Sequence, residues 1–196
     1  MTVPERFATR LLLPGDRARW EVLHRGYTDF YEVATTDAQR DRLWGWLRAH
    51  DFGLEGLVAE HEGRLVGIAH VRPVVRPLHV QVDGWLDDLF VDPDARGSGV
   101  AAALLHAVRR LGADRGWSAV RWVTSETNAR ARAFYEREGA AALAFVTYHV
   151  HVESTETARP PAVSADRLEP PTDTTAMRPP TRAGLAVDEG PAPAVT

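Results

Sequence analysis

The stretch 92-DPDARGSGVAAALLHAVRR-110 decides how this chain is read. It places Gly97, Ser98 and Gly99 between a proline turn and a long run of Ala, Leu and Val. Upstream, 85-WLDDLFV-91 reads as a strand ending on Leu89, Phe90 and Val91. Downstream, Val100, Leu104, Ala107, Val108 and Leu111 recur at spacings of three and four, the pattern of a helix with one buried face. Glycine costs more backbone entropy on folding than other residues, so bare backbone at a helix start needs a reason. Either the chain makes a tight turn into the helix, or an anion approaches the exposed amides there.

Working outward, residues 7–13 read as a short strand ending at Pro14 and Gly15. Asp16 is placed to cap a helix reaching residue 27, with Trp20 and Leu23 facing inward. Asp37 opens a second helix with apolar residues at Leu43, Trp46 and Leu47. Next, 57-LVAE-60, a turn at 61–63 and 65-LVGIAHV-71 give a strand-turn-strand signal. The glycine-led helix stops around residues 112–116. The pattern then predicts a strand at 119–124, a short helix over 128–138 ending on Gly139, and a last strand at 143-LAFVTYHV-150. Hairpins before the glycine loop and alternating elements after it imply a mixed-sheet α/β domain.

At 196 residues and 44% hydrophobic content, the chain can bury one core in one domain. No apolar run approaches membrane-spanning length, so no membrane partner is expected. The start, MTVPERFATR, has no apolar signal region, so a cytoplasmic location is expected. A net charge of -4 lacks the basic excess of a nucleic-acid surface. With Cys 0, disulfides, thiolate metal sites and a cysteine nucleophile are excluded. All 23 basic side chains are arginine, which excludes Schiff-base chemistry and a P-loop lysine. No pair of histidines has a metal-ligand spacing such as HExxH, so no metal is assigned; His149 and His151 read as an exposed edge. From Ser154 onward the chain runs through Pro160, Pro161, Pro170, Pro171, Pro179 and Pro180 without periodicity. The expected organisation is therefore a working domain at 1–153 and a disordered tail at 154–196.

Gly97, Gly99 and Ala102 formally satisfy the G-x-G-x-x-A dinucleotide fingerprint. Five residues separate them from the preceding strand, however, and the strands before them read as an antiparallel meander rather than a doubly wound sheet. A different pattern fits better. Arg96-x-x-Gly99-x-Ala101, followed by 128-NARARAFYEREGA-140, resembles the two signature motifs of the GNAT superfamily of acetyl-CoA-dependent N-acetyltransferases. The element order resembles that superfamily over residues 7–150, though only the two motifs are specific. The acids Asp87 and Asp88 before Leu89, with 134-FYEREGA-140, are most similar to the polyamine (spermidine/spermine) branch.

The resemblance implies a mixed, mostly antiparallel sheet flanked by helices, with acetyl-CoA as co-substrate. It implies that the Leu89, Phe90 and Val91 backbone pairs with the pantetheine amides. The amides of Gly97, Ser98, Gly99, Val100 and Ala101 would then hold the CoA pyrophosphate at a helix N-terminus, with Arg96 adding a charge-assisted contact. Asn128 would bond the cofactor or backbone, or cap its helix, or both. Tyr135 would protonate the departing thiolate, since a phenol of pKa about 10 stays protonated at neutral pH; packing its ring in the core is the plainer alternative. Asp87 aligns with the family's substrate-contacting acid and would receive the amine's proton through water, with Asp88 on the opposite strand face and Glu126 after the next strand as further acids. Tyr27, Asp29, Tyr31 and Glu32 form an acidic-aromatic cluster that reads as an ordinary helix end or as a pocket for a cationic amine. The superfamily often dimerises, which adds a homodimer to the expected partners. The acceptor stays open between a polyamine or other small cationic amine and a protein amine. Two other classes stand beside this one, a non-catalytic acyl-CoA-binding domain and a nucleotide-binding domain.

Overall fold

The computed structural model describes residues 7–150; the domain boundary at 153 and the tail at 154–196 lie outside them, as does His151. Five strands form one sheet in the order β1-β2-β3-β4-β5. β1 (Ala8–Leu11), β2 (Glu55–His61), β3 (Arg64–Arg76) and β4 (Gln81–Val91) pair antiparallel, and β5 (Val120–Arg121) runs parallel to β4. The helices are α1 (Arg17–Phe30), α2 (Asp37–Ala49), α3 (Val100–Asp114) and α4 (Ala129–Arg137). No helix among the described residues is long and apolar enough to cross a membrane.

Alternation along the central strands makes two cores, one on each face. Leu57, Ala59, Ala69 and Val71 pack with Val100, Leu104 and Val108 of α3. Val58, Ile68 and Phe90 pack on the other face with Trp20 and Leu23 of α1 and Leu47 of α2. Because both faces are covered, β2 and β3 carry unbroken buried runs. α2 begins with a capping box in which Thr36 and Gln39 exchange side-chain and backbone bonds.

The hairpin of β3 and β4 runs well beyond the expected 65–71 and 85–91. Pro73, which suggests a break in the sequence, lies inside β3 opposite Gly84. Gly84 donates its N–H to Ala119 on the β5 side, so the Pro73–Gly84 pair exchanges no bond. The missing proline N–H therefore faces an edge that β2, ending at Glu55 opposite Val71, does not reach. Asp16 also differs from expectation. It does not cap α1; its carboxylate takes the Leu13 N–H at 2.7 Å and two Arg10 bonds, closing the 3₁₀ turn Pro14–Asp16.

The strand expected at 119–124 shrinks to Val120–Arg121, and the one expected at 143–150 does not form. Residues 141–150 are irregular, with Phe145, Val146 and Tyr148 exposed. An alternating pattern supplies a strand's side chains, but a strand also needs a partner edge, and here none is paired to that segment.

Two irregularities of β4 prepare the site. Opposite β3, His70 pairs with Asp88 and Val71 with Leu86, which leaves Asp87 as a one-residue bulge. Opposite β5, pairing reaches only Trp85, so the edge of β4 beyond it stands open.

Candidate active site

After β4 the chain makes the 3₁₀ turn Pro93–Ala95, held by Asp92, whose carboxylate takes the Asp94 N–H and pairs with Arg19 and Arg64. Gly97 (φ 79) and Gly99 (φ 103) then adopt left-handed conformations that favour glycine. The first α3 bond runs from Ala103 N to Gly99 O at 3.0 Å, and no side chain caps the helix. The amides of Val100, Ala101 and Ala102 thus have no acceptor within the helix. A Cβ on Gly97 would meet nothing within 4 Å, so packing does not demand this glycine. Its smallness keeps the space over the amides clear.

That space is a cleft of about 660 Å³ between the α3 N-terminus, the open edge of β4 and α4. Leu89, Phe90, Val91, Arg96, Gly97, Gly99, Val100, Ala101, Asn128 and Tyr135 all line it, which brings together nine of the expected cofactor contacts and the expected acid. Ser98 is the exception: its hydroxyl turns back to Ala95 O at 2.5 Å and it lines no part of the cleft. Asp92 N bonds Val66 O on the β3 side, so by alternation Leu89 and Val91 turn their peptide groups to the open edge. The Val91 carbonyl accepts from Arg96 Nε at 3.4 Å, and the Arg96 guanidinium lies 5.6 Å from the Phe90 ring centre. Asn128 caps α4, accepting the Ala131 N–H at 3.1 Å, which leaves its amide nitrogen as the donor.

Sequence reading missed several lining residues, notably Ala102, Arg130, Phe134 and Arg137. The i, i+4, i+7 spacing of the last three, which puts them on one face of α4, was the available signal. Arg96, Arg130 and Arg137 make the lining cationic, while Glu138 is engaged by His106 at 3.2 Å.

A smaller pocket adjoins the cleft, lined by Asp87, Leu86, Trp122 and Val123 and sharing Tyr27, Tyr31, Leu89 and Tyr135 with it. Tyr135 packs between Trp122 (4.9 Å between ring centres) and Phe134 (5.2 Å). Burial, with nearby Tyr31, raises its pKa, so the phenol keeps its proton at neutral pH. Asp87 is exposed, with its side chain 29% accessible, and partial desolvation raises it from the ordinary carboxylate value although Arg72, 3.0 Å away, pulls the other way. Asp88 points to the opposite face. Burial would raise it too, but His70, at 2.6 Å, and the Tyr27 hydroxyl outweigh burial and hold it low. The Tyr27 phenol is pushed up by burial and by Asp88.

Four expected acids are not brought in, Asp88 because it is turned to His70 and lines neither pocket. Asp29, Glu32 and Glu126 are exposed and line neither pocket, so the acidic-aromatic cluster is split and only its tyrosines reach the site.

Comparison with known proteins agrees with this geometry. Residues 20–140 match the acetyltransferase (GNAT) family. The D-amino-acid N-acetyltransferase HPA3 of Saccharomyces cerevisiae is 31% identical over 146 residues, 69% of this chain and 85% of that protein. The ribosomal-protein-alanine N-acetyltransferase of Brucella melitensis biovar Abortus 2308 superposes with TM-score 0.63 at 23% identity, covering 76% of this chain and 100% of the other. AAC(6')-Iy, solved with the bisubstrate analogue CoA-S-monomethyl-acetylneamine, superposes with TM-score 0.66 at 20% identity, covering 76% and 99%.

Proposed function

Because this chain belongs to the acetyltransferase (GNAT) family, we propose that it acetylates a primary amine of a small cationic molecule by direct attack in a ternary complex. Family membership makes it an acyltransferase with acetyl-CoA as co-substrate. Acetyl-CoA supplies a thioester carbonyl open to attack and three phosphate groups that need donors. The open amides of Val100, Ala101 and Ala102, with Arg96, Arg130 and Arg137 around them, fit an anion of that kind. Arg96 leaves its place over Phe90 to reach a phosphate. The open edge at Leu89 and Val91 offers peptide groups to an extended amide chain.

The observation that carries the reading is the position of Tyr135 where the cleft meets the Asp87 pocket. Its raised pKa keeps a proton available for the leaving thiolate. Asp87, raised by partial desolvation, is a better base than an ordinary carboxylate and takes the amine's proton, through water or directly. With Cys 0, no thioester on the protein intervenes. Tyr27, Tyr31, Trp122 and Tyr135 put aromatic faces around Asp87, a surrounding suited to an ammonium group. Asp29 and Glu32 lie beyond this pocket and serve only the far charges of a longer polyamine. A second reading, an amino-acid amine, is favoured by the activity named for the yeast relative.

Thiol release from acetyl-CoA tests this with spermidine, n-octylamine, D-alanine and L-alanine as acceptors. Turnover with spermidine that weakens as salt rises is expected; preference for the alanines selects the second reading. Acetyl-CoA binding without transfer to any amine would leave only a non-catalytic binding domain.

A further inference from the structure

A run of hydrogen bonds leads from the core toward the cleft, and donor chemistry fixes its direction. Trp20 Nε1 can only donate, and it lies 2.9 Å from His70 Nε2. That nitrogen therefore accepts, which makes His70 neutral and puts its proton on Nδ1. Nδ1 lies 2.6 Å from Asp88 Oδ2 and donates to it. His70 is 1% exposed and sits directly opposite Asp88 across the β3–β4 ladder. Both ring nitrogens are committed, so His70 cannot relay a proton without breaking a bond. Asp88, ionised, can only accept. Phe90, two residues on along the same face of β4, packs against Tyr27 with 6.2 Å between ring centres, and this brings the Tyr27 phenol close enough to Asp88 to help hold the carboxylate's pKa low.

Resting on the amine-transfer reading above, we propose that Trp20, His70 and Asp88 hold the Tyr27 hydroxyl with its proton inward, so that its oxygen receives an N–H of the incoming amine. Tyr27 lines both the cleft and the Asp87 pocket, which puts the residue where the two spaces meet. A phenol whose proton is taken by Asp88 offers the pocket only lone pairs. It therefore favours acceptors that present N–H groups over those that present carbonyl or ether oxygens. Tyr27 touches the substrate; Trp20, His70 and Asp88 are positioning residues that act through it. The two neighbouring acids are thus divided, Asp87 lining the acceptor pocket and Asp88 bonded to His70.

The test measures KM separately for acetyl-CoA and for the best amine among spermidine, n-octylamine, D-alanine and L-alanine. Tyr27→Phe keeps the ring and deletes the acceptor oxygen. Asp88→Asn can place a carboxamide N–H against that oxygen and turn the phenol O–H outward. Each should raise the amine KM about 10- to 100-fold, the range of a hydrogen bond to a charged group. The acetyl-CoA KM should stay within about twofold, and the double variant should be no worse than Tyr27→Phe, since both changes break one contact. His70→Asn, which keeps a donor toward Asp88, should retain more amine affinity than His70→Leu. The imidazole ¹⁵N shifts of the wild type should show the neutral Nδ1–H form. An unchanged amine KM in Tyr27→Phe, an equal loss in acetyl-CoA KM, multiplying losses in the double variant, or an Nε2–H tautomer overturns the proposal. If Asp88→Asn does not fold, Tyr27→Phe and the tautomer decide. A wild type that binds acetyl-CoA but acetylates none of the four amines removes the amine-transfer reading and this one with it; an active wild type with an insensitive Tyr27→Phe removes this one alone.

Discussion

At the α3 end of the cleft, contiguous backbone does the work: two left-handed glycines, then the unpaired amides of Val100, Ala101 and Ala102. At the acceptor end, Tyr27 comes from α1, Asp87 from the bulge of β4, Trp122 from the chain after β5 and Tyr135 from α4. The first region depends on side chains being small. The second depends on which functional groups the side chains carry and on how a distant core holds them. Substitutions in the first should act by blocking or straining backbone, with the chemistry intact once the cofactor is bound. Substitutions in the second should alter the chemistry while leaving the cofactor's grip unchanged.

The largest effect expected is at the acceptor end. Tyr135→Phe should lower kcat by ~10²–10⁴-fold, as for loss of a general acid, with the acetyl-CoA KM nearly unchanged. Turnover at the wild-type level would reduce Tyr135 to a packing residue and erase the contrast between the two ends.

The core beneath the acceptor end should also be the acid-sensitive part. His24 is buried, stacks on Trp20 with 5.1 Å between ring centres, and has no partner for Nδ1. Burial is the chief cause that lowers its pKa from 6.5 to about 4. The unfolded chain therefore binds a proton that the folded chain refuses. His24's contribution is complete above the unfolded value and is lost as pH falls toward the folded one, roughly 3 kcal/mol in all. His24→Phe keeps the stacking and removes the titration, so its Tm should fall less than the wild type's on acidification from neutral pH into that range. Equal falls would mean that other groups govern acid stability.

Gly99→Val tests the backbone end. A β-branched residue at φ 103 is strained, at a cost of about 1–3 kcal/mol, and it intrudes on the amides. The acetyl-CoA KM should rise at least about tenfold, while saturating acetyl-CoA restores most of kcat. A loss confined to kcat would place the loop among the chemical groups instead.

The smallest effect is a displaced pH limb. If Asp87 is the base, kcat/KM falls at low pH as it protonates. Arg72 holds its pKa down against desolvation, so Arg72→Ala should raise it further and move the acid limb to higher pH. A limb that stays in place, or moves to lower pH, would detach Asp87 from proton transfer.

The backbone end was largely legible in the sequence because its determinants are neighbours in the chain. Gly97, Gly99 and the helix period after them specify an open N-terminus locally, and a second local motif from Asn128 to Tyr135 pointed to the same family. Even there, Ser98 kept no place in the lining, because its hydroxyl found the Ala95 carbonyl three residues back. The acidic-aromatic cluster looked contiguous in sequence, yet Asp29 and Glu32 ended exposed while Tyr27 and Tyr31 faced the pockets. Helical geometry turns adjacent residues to different sides.

The sequence by itself determined the mixed α/β sheet, the family and the place of the glycine loop at the helix entry, since periodicity and short spacings are written in consecutive residues. Tertiary structure alone decided the extended hairpin through Pro73, the absence of a strand at 143–150, the bulge at Asp87, and the meeting of Trp20 with His70 and of His70 with Asp88. Each of these depends on which edge or side chain lies opposite, and residues far apart in the chain supply that partner.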